Sequence, residues 1–235
     1  MFVLGATTSD PECGIALMRD GEIVSEKIFT GSRICLEEII PVIENALAEQ
    51  SAGLADIDLY ALDIGPGGLT GIKIGLVAIR TLAQVFGKKV VPVSPLHAVA
   101  CAAPDDAETI LVATICSAKE VFTAVFERHP GRSVPARICE DRFDTPESAA
   151  ARFAEYAGRN ELCLTGSAAG RVSPVMMAQN PGIDLQLASP QNRPPRARRI
   201  CALASECAAV EWMFLQANYL VPTQAERMKI SKAGA

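Results

Sequence analysis

The sequence lacks the closely spaced residue pairs that bind metal ions. It contains eight cysteines, but none forms a Cys-x-x-Cys pair, and only His97 and His129 could join them as ligands. A His-Glu-x-x-His segment is absent as well. We therefore predict no metal site, and we expect most of the cysteines to be reduced and to pack as small apolar residues.

An excess of positive charge is also missing. The formal net charge is −5, which gives no general attraction for nucleic acid or acidic membranes. The first six residues contain no basic side chain, and no run approaches the apolar length that a membrane span requires. We therefore expect a cytoplasmic protein that does not bind membranes. Any contact with RNA should be made by a local patch of the surface or through a partner.

The one concentrated basic segment, at residues 193–199, lies in a proline-rich stretch. Its arginines could pair with phosphates, but a solvated linker is the more common role of such a segment. We interpret it as a linker. Its basic residues are Arg193, Arg196, Arg198 and Arg199.

Motifs for autonomous catalysis are absent. Ser94 and His97 could suggest a nucleophile and a base, but no Gly-x-Ser-x-Gly segment surrounds Ser94, and Ser94-Pro95 is typical of a helix start. Asp10 and Asp63 are the acids nearest the strand ends where an actin-like ATPase would hold magnesium. Such acids more often cap turns, so we predict no catalytic residue.

The apolar pattern predicts a mixed sheet near the N-terminus. Three successive strands, the first two of them separated from the third by Asp20-Gly21, are followed by alternating helices and strands. This order is typical of the ribonuclease H-like and actin-like ATPase folds, and it differs from a Rossmann domain. The predicted elements are strands 2–7, 13–18 and 23–29, helix 34–50 with Pro41 expected to kink it or delay its start, strand 59–64, helix 70–86 and strand 90–93.

The pattern begins again after residue 104, with strands over 109–116 and 121–126. We therefore predict an α/β actin-like fold with two mixed-sheet domains and no long sequence repeat. The first domain comprises residues 1–103 and a closing helix at about 200–217, the second comprises 104–199 with the linker, and a tail follows at 218–235. Further predicted elements of the second half are helix 145–156, capped by Thr145 with Pro146 in its first turn, and strand 162–165.

Helix 70–86 carries more apolar surface than one contact can cover. Its apolar residues fill an arc of roughly 200°, and a single core contact needs about half of that. We assign Ile72, Leu76, Ile79 and Ala83 to the chain's own sheet, which leaves a stripe of small residues for another protein. The predicted partner interface, including helix 34–50, consists of Leu36, Ile39, Ile40, Ile43, Leu47, Gly71, Ile74, Gly75, Ala78 and Leu82.

The glycine-rich segment before this helix has two interpretations. Glycines let backbone amides approach a phosphate, and Thr70 could cap the helix, so Gly65, Gly67, Gly68 and Thr70 are candidates for nucleotide contact. However, Thr70 stands where both the Walker A motif and the dinucleotide fingerprint require glycine. A structural turn from strand to helix is therefore favoured, with weak or absent binding of ATP or ADP and no cofactor.

Two segments resemble a known family. Residues 65–75 are similar to the Gly-Pro-Gly-Ser-Phe-Thr-Gly-Leu-Arg-Ile-Gly core of the bacterial TsaB (YeaZ) proteins, and residues 91–96 are similar to their Val-x-Val-Ser-Ser-Leu segment. These proteins belong to the actin-like ATPase superfamily. The chain departs from the family pattern at Thr7, where an aspartate is usual, and at Cys35, where a histidine is usual.

This resemblance implies a non-catalytic subunit of the machinery that makes threonylcarbamoyladenosine on tRNA. Such a subunit binds the catalytic TsaD paralogue through its two apolar helices, can also form a homodimer, and meets TsaE, an ATP-hydrolysing protein, as a third partner. The alternative is an independent enzyme, either an ATPase or kinase of the same fold or a glycoprotease-like peptidase of the M22 type.

Overall fold

The protein contains two mixed β-sheets with helices on their faces, as predicted. A computed structural model describes residues 1–30, 32–159, 161–188 and 196–221, without the side chains of residues 30, 32–36 and 196. The strands are β1 (Phe2–Thr7), β2 (Glu12–Arg19), β3 (Glu22–Thr30), β4 (Leu59–Asp63), β5 (Lys89–Val93), β6 (Thr109–Ile115), β7 (Val121–Glu127), β8 (Ala136–Asp144), β9 (Leu162–Thr165), β10 (Leu185–Leu187) and β11 (Val210–Glu211). The helices are α1 (Ser32–Glu49), α2 (Leu69–Phe86), α3 (Pro95–Ala100), α4 (Pro146–Phe153), α5 (Ala169–Gln179) and α6 (Arg196–Leu203).

The first sheet has the order β11-β5-β4-β1-β2-β3. Strands β1, β4 and β5 are parallel, whereas β2 and β3 continue the sheet as an antiparallel meander. The turn between β2 and β3 contains Asp20 at φ 51° and Gly21 at φ 90°, the positive values that a two-residue hairpin turn requires. The predicted hairpin is therefore confirmed.

The second sheet has the order β10-β9-β6-β7-β8 and repeats the topology of the first. Strand β6 pairs antiparallel with β7 and parallel with β9, as β1 does with β2 and β4. The sequence shows no repeat over these segments, so the duplication is visible only in the fold. The predicted domain boundary near residue 103 remains a prediction.

Helices cover both faces of the two sheets. One face of the first sheet packs under α1 and α2, and alternate residues of the same strands pack under α6 on the other face. In the second sheet, α4 and α5 cover one face, while α3 packs on the other. Because α3 contacts both α6 and the second sheet, it joins the two halves.

The closing helix is shorter than predicted and begins earlier. The prediction was about 200–216, but α6 ends at Leu203, and the chain then adds β11 to the edge of the first sheet. The Ser205 hydroxyl hydrogen-bonds the Ala202 carbonyl, a local bond that competes with helix continuation. The first residues of the predicted tail also contact the rest of the protein, because the backbone N–H of Asn218 donates to the carbonyl of Ile64. Residues 222–235 lie outside the described part.

Pro41 does not delay the start of α1, which was one of the two outcomes expected for it. The helix runs from Ser32 to Glu49 with Pro41 on its exposed side, where water can reach the backbone. Four elements were missed, namely β8, α5 and the short strands β10 and β11. Strand β8 carries exposed charged residues at alternate positions and lies at a sheet edge, and α5 contains Pro174.

Helix α2 also corrects an expectation about membranes. Its 18 residues are long and apolar enough to cross a membrane, although no such run was expected. Seven of its 18 residues are buried within this chain, and its buried face packs on the first sheet. A core helix meets the same criteria of length and composition, so its packing accounts for its apolar character.

The imidazole of His97 lies at the junction of the two halves. The residue belongs to α3, its Nε2 donates to the carbonyl of Pro135 at 2.8 Å, and its ring stacks on Phe126 of β7 with centroids 4.8 Å apart. Burial lowers the pKa of His97, the bond to Pro135 opposes this shift, and the nearby Arg137 guanidinium adds to it. The neutral ring is therefore the form that the junction favours.

This environment predicts a specific pH dependence of stability. As the pH falls below about 6.5, the unfolded chain binds a proton at His97 before the folded chain does. The stabilisation from the neutral ring is therefore complete above that pH and decreases as the pH falls toward the folded-state pKa. In urea unfolding between pH 7.5 and 5, we expect His97→Gln to lose stability less steeply than the parent chain.

The matched control is His129→Gln, because the His129 side chain is about half exposed. This variant should keep the pH slope of the parent chain. Equal slopes for His97→Gln and the parent chain would contradict the assignment of His97.

Candidate functional site

The glycine-rich loop packs tightly against the turn between β1 and β2. The Gly68 backbone N–H donates to the Ser9 carbonyl at 2.7 Å, and a Cβ at Gly67 would lie 2.5 Å from the same oxygen. On the other side, a Cβ at Gly65 would lie 3.0 Å from the Asn218 carbonyl oxygen. Both ends of the loop therefore contact the chain itself, and nucleotide contact by Gly65, Gly67, Gly68 and Thr70 remains a hypothesis.

The start of α2 differs from the prediction. The N-cap residue is Gly68, in an extended conformation, and no side chain caps the helix; Thr70 lies exposed in the first turn. Because the bond from Gly68 to Ser9 holds the backbone just before Leu69, the helix begins one residue earlier than predicted.

A buried carboxylate organises the turn that the loop contacts. Asp63, at the end of β4, has no exposed surface and accepts hydrogen bonds at Oδ2 from the hydroxyl of Thr7 and the backbone N–H groups of Thr8 and Ser9, at 3.2 and 3.4 Å for the two N–H groups. The Ser9 hydroxyl donates to the same oxygen at 3.0 Å. The capping role favoured for such an acid is therefore the one that Asp63 has.

The stripe of small residues on α2 faces this chain, which corrects the predicted interface. A Cβ at Gly71 would lie 1.8 Å from the Thr8 carbonyl oxygen, and one at Gly75 would lie 2.3 Å from Thr8 Oγ1 and 2.9 Å from Leu62 Cδ1. Ile74 and Leu82 are buried in the same core, and Ala78 is partly buried against it. The helix crosses the strand ends so closely that only glycine fits at its two nearest points.

Most of the predicted α1 residues also face inward. Ile39, Ile43 and Leu47 are buried in the core beneath the two helices, whereas Ile40 is partly exposed. The side chain of Leu36 lies outside the described residues. Of the predicted interface, Ile40 and Ala78 therefore keep partial access to solvent.

The accessible apolar residues of α2 lie elsewhere. Leu69 is 55% exposed, and Val77 and Val85 are each 68% exposed. We call these three residues the outer face of α2. The sequence contained a weak signal for it: helical geometry separates Val77 from Gly75 by about 200°, so burial of Gly75 turns Val77 outward.

The assignment of the sheet-facing residues holds in part. Ile72, Ile79 and Ala83 are buried as predicted, whereas Leu76 remains partly exposed. Those residues and the glycine stripe together form one broad buried face, so the helix contacts its own sheet over about half of its circumference.

Ser94 and His97 do not form a nucleophile and base. The Ser94 side chain accepts from the Leu96 N–H at 3.2 Å and caps α3, as predicted, while the His97 imidazole is bonded to Pro135. Within the described ranges, no group of three or more His, Cys, Asp or Glu residues could hold a metal ion. Three of the seven cysteines described there are buried.

The packing of Gly75 generates a test of the corrected interface. Gly75→Ala forces a methyl group against Thr8 and Leu62, so we expect it to lower the free energy of unfolding of the isolated chain by about 1–3 kcal/mol. This cost opposes the gain of up to about 1 kcal/mol that alanine brings to a helix. Urea unfolding measures the difference, and Gly75→Leu should cost more.

Gly170 of α5 provides a matched control because no atom lies within 4 Å of a Cβ built there. Gly170→Ala should therefore be neutral or stabilising. Since Thr8 Oγ1 is buried and has no hydrogen-bond partner among the described residues, adding Thr8→Ala to Gly75→Ala should recover part of the loss. Stabilisation by Gly75→Ala alone would show that α2 does not pack as described.

Comparison with known proteins identifies the relatives of the chain. A family model described as "TsaD: tRNA N6-adenosine threonylcarbamoyltransferase" matches residues 27–151, more than half of the sequence. The tRNA threonylcarbamoyladenosine biosynthesis protein TsaB of Haemophilus influenzae is 32% identical over 135 residues, which cover 57% of each chain. A tRNA N6-adenosine threonylcarbamoyltransferase of Solidesulfovibrio magneticus is 34% identical over 113 residues, 42% of this chain and 30% of that protein.

Solved structures agree with the fold. YeaZ from Pseudomonas aeruginosa superimposes with a TM-score of 0.74 at 20% identity, covering 93% of this chain and 99% of that chain. In sequence, however, the matched regions span little more than half the length of the TsaB relatives and about a third of the transferase. The predicted resemblance to the TsaB (YeaZ) proteins and the actin-like fold are confirmed, and the chain belongs to the family that the TsaD model describes.

Proposed function

We propose that the protein is a non-catalytic subunit of the tRNA threonylcarbamoyladenosine machinery that binds and supports a catalytic TsaD paralogue. The similarity to TsaB and the family match support the pathway. The observation that carries the role of a binding subunit is the outer face of α2, where two valines are each 68% exposed on a helix that is otherwise packed against its own sheet through a broad buried face.

The exposure of these valines favours a protein partner. Exposed apolar residues grouped on one rigid element mark interaction sites more often than scattered ones do. The partly exposed Ile40 of α1 and Ala78 of α2 extend the apolar surface, since both pack at the margin of the core that these helices share. A paralogue with the same two helices offers a surface of the same kind, which supports TsaD as the partner and allows a homodimer on the same face.

The remaining partners follow from this arrangement. TsaE joins through the assembled complex rather than through this chain alone. The net charge of −5 favours indirect contact with tRNA, and a cytoplasmic location agrees with such a task.

The α2 face can be tested by charge substitution. We expect Val77→Glu combined with Val85→Glu to reduce complex formation with the TsaD of the same organism at least tenfold, because burying a carboxylate without a partner is costly. Sedimentation velocity of the mixed proteins measures the complex, and the isolated variant reports the homodimer. The melting temperature should stay near that of the parent chain, since both valines are largely exposed.

Met177→Glu is the matched control because Met177 is 44% exposed on α5, in the second half. It introduces a single carboxylate on another helix and should leave both complexes intact. Loss of the complex with Met177→Glu but not with the valine variant would contradict the proposed surface.

The proposal also predicts that the isolated chain has no steady ATPase, kinase or peptidase turnover. The geometry supports this because Ser94 and His97 are each bonded elsewhere and Asp63 is buried in the turn. Sensitive phosphate-release and peptide-cleavage assays on pure protein provide the measurement. Turnover that survives purification and disappears in Asp63→Asn would favour the independent enzyme instead.

A further inference from the structure

Residues 215–221 cross from the first half of the molecule to the second. Leu215 is fully buried in the core under α1 and α2, and its carbonyl accepts a hydrogen bond from the Arg80 guanidinium. At the other end, Leu220 and Val221 pack against the core around α3 and the second sheet. We call this segment the strap.

Asn218, at the centre of the strap, is bonded to both sheets. Its backbone N–H donates to the carbonyl of Ile64, just after β4, at 2.8 Å. Its side-chain Nδ2 donates to Asp141 Oδ2 of β8 at 3.1 Å. One residue thus links the glycine-rich loop of the first half to a strand of the second.

The acceptor in the second sheet is held firmly. The Asp141 side chain is only 6% exposed, and Arg137 Nη1 lies 2.5 Å from its Oδ1. The Ser94 side chain lies beside this carboxyl group as well. Because Ser94 follows β5 of the first sheet, the carboxylate is the meeting point of three segments: the strap, β8 and the start of α3.

We propose that the strap is a latch: the bond between Asn218 and Asp141 holds the second sheet against the glycine-rich loop, and its release opens the crevice between the sheet ends while both sheets stay folded. Each sheet has its own packed helices, so opening needs no loss of either core. While the latch is closed, Asn218 covers Gly65 and occupies the Ile64 carbonyl. This inference concerns movement between the halves and does not depend on the proposed partner.

Hydrogen exchange of the full chain tests the latch. Asn218→Asp sets a second carboxylate against Asp141, so repulsion replaces the hydrogen bond. We expect the amides of the strap, and those in residues 64–70 and 136–144 that are not paired within a sheet, to exchange at least tenfold faster than in the parent chain. Amides of β1 and β2 should keep their parental rates, because the first sheet stays folded.

Two further variants make the result decisive. Asn218→Ala removes only the side-chain donor and keeps the backbone bond to Ile64, so it should give the same pattern if Asn218→Asp does not fold. Tyr219→Ala is the control, since Tyr219 is 50% exposed and should leave exchange unchanged. Faster exchange confined to the strap, uniform acceleration that includes β1 and β2, or no change would each overturn the latch.

Discussion

The close approach of α2 to the turn after β1 constrains the rest of the first half. At Gly71, any side chain would meet the Thr8 carbonyl at 1.8 Å, so the helix axis lies as near to the strand ends as a backbone can. Because this contact orients the helix about its own axis, it determines which residues point outward. The exposure of Val77 is thus a consequence of two glycines on the opposite side.

The close contact between α2 and the turn after β1 also accounts for the hydrogen bonding of the glycine-rich loop. A phosphate-binding loop keeps its amide groups free to meet an anion. Here the Gly68 amide is bonded to Ser9, and Ser9 is in turn held by the buried Asp63. The glycines therefore allow close packing between backbone segments.

The sequence was sufficient for the order of elements from β1 to β5, but it did not predict which residues of α2 contact the chain's own sheet. Periodicity identifies a broad apolar arc, yet it does not say which part of the arc meets the chain's own sheet. Glycine adds to this ambiguity, because a small residue suits a close approach to any backbone, whether of the same chain or of a partner. The position of Thr8 decides between them, and that position is a property of the tertiary fold.

Other features were not predicted from the sequence because they too depend on the tertiary fold. Strand β8 has exposed Glu140 and Arg142 because it lies at a sheet edge, so its sequence lacks the continuous apolar run of a central strand. Asn218 and Asp141 are 77 residues apart, and nothing local marks either as half of a hydrogen-bonded pair. Sequence patterns report local periodicity and burial, whereas these contacts arise where distant segments meet.

The two halves have the same strand topology but differ in how closely a helix approaches the sheet. In the second half, the loop after β9 also approaches the first strand of its sheet through a glycine, since a Cβ at Gly166 would lie 2.0 Å from the Ala113 carbonyl oxygen. However, the close approach does not continue into α5, where Gly170 faces open space. Among the described helices, α2 alone approaches its sheet through two glycines, which lie about one helical turn apart. Because α2 is held closely against its sheet, it is a rigid element that can present an exposed apolar face to a partner. The proposed partner surface therefore belongs to the first half.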